Sequence, residues 1–555
     1  MDLQNTLYSP DAGISQVPSQ EKLMTQNVRA FLKKRSEHAR KFYTGEASTI
    51  KVSEVLGSIA YLYERIRNIV EYKNEQVLRR SGIERMVKRL MWERSSRDTT
   101  KLAQILLREL IWARYLPNDR IPKRKIAEVA SILNKYLYLV GVVTEKGSGV
   151  PVAELRSWIW GVASCEIEEV LDPITREPYV ELMYNWFITQ FAWHNDDLSD
   201  HEKSIQMYLA VHRALTKSDE HIMRYHLLLR EFPAWRNADE AMVAVFAEKF
   251  WHLYQEVEKH LQFPDRFALY RTMQKQIAPF EILKELIVRE KDSAETILKD
   301  PAATEQKVRE ICQIRYAQIQ TKVRRGTVRS IIYIFITKVV FALLIEIPYD
   351  IMVIGNLEYL PLAINVVVPP TLMFLIGLTI KAPNETNTAR ILTILKTIVY
   401  ESPVQNKTLF SLAKVRRGNL LGNTFALVYL ALFILVFGGI TWLLIQLHFS
   451  LVGILVFFAF LSLVLLFGFR VRFTASELKI TGNGESFFGY IFNNLTLPFL
   501  STGVYLSKGL AKINFLSLIL DFLIEAPLKT IIEVIEEWTS FIREKREEVV
   551  EVPQQ

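Results

Sequence analysis

An all-α membrane protein is the fold class this sequence predicts, and three observations predict it. Apolar runs such as VYLALFILVFGGITWLLI and LVGILVFFAFLSLVLLFGF are longer than a soluble core of this size requires. Outside them, apolar residues recur at spacings of three and four, the period of a helix face. Proline and glycine are sparse, 20 and 22 among 555 residues, so few positions interrupt that pattern.

A chain this long exceeds one hydrophobic core, so several structural units are expected. Half the residues are hydrophobic, yet 23% are charged, which fits a soluble part and a membrane part in one chain. The net charge of +8 suits basic loops facing an anionic leaflet as well as it suits a nucleic-acid binder, but the acids interleaved in the basic runs make nucleic acid the disfavoured partner. Cys165 and Cys312 are the only cysteines. They supply neither a disulfide framework nor a cysteine-based zinc site, which points to a reducing compartment. The start, MDLQNTLYSPDAGISQVPSQ, has no basic stretch followed by an apolar run. No cleaved signal and no lipid attachment are therefore expected, and the first membrane helix serves as the insertion signal.

Residues 1–20 are polar and read as a disordered tail. Residues 21–142 read as a basic helical domain. Leu56, Ile59, Leu62 and Ile66, then Val70 and Tyr72, mark one helix face, and Leu102, Ile105, Leu106 and Leu110 another. Ser81-Gly82 and Ser95 to Asp98 read as breaks, and Pro117-Asn118-Asp119 as a stop. The run RRSGIERMVKRLMWERSSRD makes Arg79, Arg80, Arg85, Lys88 and Arg89 candidates for a lipid-headgroup or partner surface. The interleaved Glu84 and Glu93 fit a solvated helix face instead. VTEKGSGVPV, after a helix over 121–142, is a glycine-containing loop without the features of a phosphate-binding loop.

Residues 151–300 form an aromatic-rich helical domain. Trp158, Trp160, Trp186, Phe187, Phe191, Trp193, Trp235 and Trp251 are expected as core or interface anchors. Ser199 with Glu202, and Asn237 with Glu240, carry the spacing of capping boxes. Most histidines also lie here. His194 and His201 are seven apart beside Asp196, Asp197 and Asp200, and His221 and His226 are five apart. Neither is a ligand pair on one regular helix, although ligands from separate helices remain open. No metal, cofactor or catalytic residue is predicted.

Residues 303–329 read as a polar helical stalk, with a narrow stripe of Val308, Ile311, Ile314 and Ile319 and a weak point at Gly326. The transmembrane region, 330–470, has four predicted spans: 331–347, 360–380, 425–447 and 451–469. Arg324, Arg325 and Arg329 precede it. The first external loop carries Asp350 and Glu358 and no base. The loop 381–420 holds Lys381, Arg390, Lys396, Lys407, Lys414, Arg416 and Arg417, and Arg470 and Arg472 follow the last span. This asymmetry predicts that both termini are cytoplasmic, in a plasma (inner) membrane.

Two features inside the spans ask for a cause. Lys338 lies about 10 Å into its helix, where a charge costs a few kcal/mol. It either snorkels to the headgroups or lines a polar path with Asn365 of the next span. Pro369 and Pro370 withhold donors from the carbonyls of Asn365 and Val366, so a kink or break is expected. Residues 476–555 read as membrane-peripheral and amphipathic helices, the last of them from Thr530 to Val549 with a glutamate-rich outer side. The best-fitting function is a membrane-anchored helical scaffold that meets a protein partner or a second copy. A channel or transporter gated by the soluble domain, and a membrane-anchored enzyme, are the alternatives.

Overall fold

In the computed structural model the protein is all-α. The structure describes residues 24–43, 48–52, 61, 75–93, 98–145, 150–172, 177–191, 193, 198–400, 419–480 and 496–505. The tail 1–20, the face from Leu56 to Tyr72, His194, Asp196 and Asp197 lie outside them. So do Lys407 to Arg417, the helix Thr530–Val549 and most of the segment 487–523. Among the described residues there is no strand, only two isolated bridging pairs, Met24 with Tyr400 and Thr49 with Pro122.

Helix α1 (Gln26–Tyr43) is followed by α2 (Glu75–Glu93), α3 (Thr99–Trp112), α4 (Arg124–Glu145) and α5 (Val152–Leu171). Next come α6 (Glu177–Gln190), α7 (Asp200–Leu215), α8 (Glu220–Glu231) and α9 (Glu240–Leu261). A first apolar cluster runs from Ile50 to Leu261 and fills the space between α2, α3, α4, α5, one face of α7, α8 and α9. Trp158, Trp160 and Trp235 sit inside it. A second cluster joins α1, α6 and the other face of α7 to everything downstream. It contains Phe187 and Phe191.

Local sequence explains most of the boundaries. The Ser199–Glu202 capping box forms as its spacing predicts, with each side chain bonded to the other residue's backbone amide. The second expected box does not. Asp239, not Asn237, caps α9, accepting from the Met242 amide at 2.8 Å, while Asn237 ends a short 3-10 turn. Ser81-Gly82 is not a break either, because α2 runs through it. A Cβ on Gly82 would lie 2.7 Å from the Tyr115 ring, so this glycine permits close packing instead of ending the helix.

Helices α10 (Arg266–Gln274), α11 (Ile277–Glu290) and α12 (Ala294–Lys299) lead into α13 (Pro301–Ile354). At 54 residues, α13 is about 80 Å long. The stalk and the first span are one helix, uninterrupted at Gly326. It also continues past 347, where the first span was expected to end. Pro348 removes a helical donor and crowds the carbonyl one turn back, and π turns at Ala342–Glu346 and Asp350–Ile354 flank it. Asp350 therefore lies in the helix, and the connecting loop shrinks to the residues around Gly355, which adopts a left-handed φ of 78°.

Helix α14 (Tyr359–Thr379) runs through Pro369-Pro370 without a break. Thr371 donates its hydroxyl to the Val367 carbonyl at 2.8 Å within this weakened turn. Pro361, Asn365, Pro369 and Met373 form its buried stripe, one residue in four. Helix α15 (Glu385–Val399) folds onto α11 and α13 through Ile391, Leu392, Leu395 and Ile398. Helices α16 (Asn419–Gln446) and α17 (Leu451–Ala475) form a hairpin whose turn is closed by Ser450, which caps α17 by accepting from the Gly453 amide. Residues 496–505 are helical and set Phe499 against Phe437 and Phe458.

Among the described residues, five helices are long and apolar enough to cross a membrane: α4, α13, α14, α16 and α17. The sequence reading counted four of them. Helix α4 meets α3, α5 and α9 inside the first cluster. The other four share an exposed apolar belt, with Leu344, Met352, Leu360, Leu435, Trp442 and Leu451 all more than half exposed. A belt of that kind is compatible with a lipid environment.

Candidate functional site

Lys338, on α13, is fully buried, and its ammonium donates to Glu346 Oε1 at 2.5 Å. The two residues are eight apart, about 12 Å along the helix axis, so Lys338 must extend toward the C-terminus and Glu346 lean back. Asn365 on α14 donates to Glu346 Oε2 at 2.8 Å and to the Gly453 carbonyl of α17 at 3.2 Å. The Phe460 ring of α17 lies 4.9 Å from the ammonium. One carboxylate thus joins α13 to α14, and one amide joins both to α17. Asn365 Oδ1 is buried and accepts no hydrogen bond. The helices approach closely on the same side: a Cβ on Gly377 would meet the Thr327 side chain at 2.3 Å.

Lys338 and Asn365 do converge, but through Glu346, near the end of the predicted span 331–347. The signal was present: opposite charges in one apolar run, with Pro348 just beyond the acid. Pro369 is buried beside this cluster, and Pro370 is half-buried.

The basic run of α2 faces inward. Arg79 pairs with Glu168 and Asp172 of the α5 end. Arg80, 3% exposed, reaches Glu84, Ser164 and Asp219. Lys88 bonds Glu84 and Ser157, and Arg89 grips both oxygens of Glu109 on α3. Arg85 is half-buried on the same helix. Burial raises the Glu84 carboxyl, but His221, Arg80 and Lys88 outweigh it and hold the group at about 2.

Where α5, α6, α7 and α8 meet there is a cavity of about 60 Å³, lined among others by Cys165, Glu177, His212, Ser218 and His226. Glu177, at the start of α6, points Oε2 at two imidazoles: His226 Nδ1 at 3.3 Å and His212 Nε2 at 3.6 Å. Tyr208 donates to the other oxygen at 2.5 Å, and Ser218 Oγ lies 3.3 Å from His212 Nδ1. His212 is held well below the ordinary histidine range by burial and by the neighbouring His226. Neither Glu177 nor His212 was singled out as a ligand from the sequence, because the three residues sit on three helices with no telling spacing. His201, by contrast, lies exposed near Glu231. No family model, curated protein or solved structure matches this chain.

The passages between the polar and apolar halves meet around Asn387 on α15. Its amide donates to Tyr316 of α13 and to the Leu478 carbonyl just after α17, both at 2.9 Å. Its oxygen accepts from the Ile480 amide at 2.8 Å. Arg390 adds a bond to the Ile480 carbonyl, and Lys396 pairs with Glu305 of α13. At the far end of the apolar helices, His448 approaches Glu358 at 3.8 Å.

Proposed function

We propose that this is a multi-pass membrane protein that holds a rigid helical platform at the cytoplasmic face, where it recruits a protein partner or a second copy. The observation that carries this reading is the Asn387 junction. One buried side chain ties the stalk to α15 and to the exit of α17, and α11 of the body packs on both the stalk and α15. The exposed apolar belt and the loop charges support the membrane placement and the orientation. The Lys338–Glu346–Asn365 cluster acts in this reading as a lock between α13, α14 and α17. Every charge in it is paired, and the Phe460 ring packs over the ammonium.

Two experiments test the proposal. Glu358→Cys and Lys381→Cys are labelled with an impermeant maleimide on intact cells; both native cysteines are buried. Labelling of Glu358→Cys alone is expected, and the reverse pattern overturns the orientation. Cross-linking of the full chain in its own membranes is expected to join lysines of residues 75–300 to a second polypeptide. Intrachain links alone, together with ion flux through reconstituted vesicles that Lys338→Met abolishes, would replace the platform by a channel.

A further inference from the structure

The cavity between the two apolar clusters has the makings of a ligand site that the platform reading does not use. His212 is 2% exposed, and its Nε2 makes no hydrogen bond; Glu177 Oε2 is likewise buried without one. Together with His226 Nδ1 they make a set of three ligand atoms that lie within 4.8 Å of one another. Leaving two such atoms unsatisfied in a protein interior costs free energy, which something bound among them would recover.

We infer that Glu177, His212 and His226 bind one divalent transition-metal ion of the zinc and ferrous class. Metal–nitrogen and metal–oxygen bonds of about 2.0–2.2 Å in a tetrahedral shell set neighbouring ligand atoms about 3.4 Å apart. The 3.3 and 3.6 Å separations from Glu177 Oε2 to the two imidazoles bracket that value. Two imidazoles and one carboxylate select zinc, iron or manganese over calcium and magnesium, which take oxygen ligands. The outer partners are also in place. Ser218 fixes the far nitrogen of His212, and Tyr208 fixes the far oxygen of Glu177, as ligands of metal sites are usually held.

The neighbouring acids do not complete the shell, since Arg79 takes Glu168 and Asp172 and Tyr225 takes Glu169. Three protein ligands therefore leave at least one coordination position facing the cavity, the arrangement of a reactive site more than of a closed structural one. The ion would join α6 and α7, which build the second apolar cluster, to α8 of the first.

The test uses the full chain, purified in detergent and stripped with a chelator, then titrated with Co²⁺ and Zn²⁺. One Co²⁺ per chain is expected, with the intense d–d bands of a four- or five-coordinate nitrogen/oxygen shell, displaced by Zn²⁺. Glu177→Gln and His226→Gln should lower the affinity at least 100-fold, Tyr208→Phe about tenfold, and the exposed-histidine control His252→Gln not at all. Should the ligand variants fail to fold, zinc-edge absorption of the wild type decides, and a fit requiring two imidazoles is expected. Substoichiometric binding, binding lost in His252→Gln, or a shell with fewer than two imidazoles would overturn the assignment.

Discussion

Lys135–Glu166 in the helical body and Lys338–Glu346 in the apolar half are built alike. Each ammonium is buried and donates to its glutamate at 2.5 Å. Each also lies 4.9 Å from an aromatic ring, Trp235 in one case and Phe460 in the other. A neutral donor holds the second carboxylate oxygen, Tyr136 at 2.8 Å in the body and Asn365 at 2.8 Å in the apolar half. They differ in how the surroundings close. Lys135 also donates to the Trp235 carbonyl, and Tyr136 accepts from the Trp235 indole, so that ring of bonds is complete. In the apolar half, Asn365 Oδ1 is left over. The same motif thus occurs in both halves, joining α4 to α5 in the body and, through Asn365, α13 to α14 in the apolar half, with less polar support there.

The largest effects break one pair at a time. Glu346→Leu leaves a buried ammonium without its counter-charge and should cost about 3–5 kcal/mol, measured as loss of folded protein on heating in detergent. Glu166→Leu should cost a similar amount at neutral pH, but with a difference. Burial already lowers Lys135 from its ordinary 10.5, and without Glu166 to hold its proton it deprotonates sooner. The deficit of Glu166→Leu should therefore shrink as pH rises toward 9, whereas a wild-type-like pH profile would count against that account.

A smaller effect separates the supports. Asn365→Leu removes a donor from Glu346 and should cost about 1–2 kcal/mol, less than loss of the acid itself. Acid should also act on the body first. His221 is pushed down to about 4, mainly by burial, and Glu84 sits at about 2. An unfolded chain takes up these protons near 6.5 and 4.5, so stability falls as pH drops from about 6.5 toward 2. Eight of the ten tryptophans precede residue 252, so tryptophan fluorescence follows the body, and its melting point should fall between pH 7.5 and 4.5. The smallest test is local: Asp239→Ala should cost about 1 kcal/mol and Asn237→Ala under about 0.5 kcal/mol, since only Asp239 caps α9.

The all-α class and the apolar helices were legible because both rest on periodicity and length. The Ser199 box was legible for the same reason, since its chemistry is local. What the sequence did not disclose depends on partners distant in the chain. Gly82 read as a break because Tyr115, which fills the space beside it, is 33 residues away. Arg80 and Arg89 read as a surface because their acids lie on other helices or on the hidden side of the same one. The part Glu346 plays was not legible because it lies eight residues from Lys338 and its other partner, Asn365, is on a different helix. Glu177, His212 and His226 carry no mutual pattern at all, and only folding makes them neighbours.

A double-mutant cycle on Lys338 and Glu346 tests the central claim most directly, read by thermal unfolding of the full chain in detergent. If the two buried charges of α13 serve chiefly each other, Lys338→Met/Glu346→Met together should unfold within about 1 kcal/mol of the wild type, far above Glu346→Met alone. A double variant as unstable as the single one would contradict the account, because the two charges would then be serving partners other than each other.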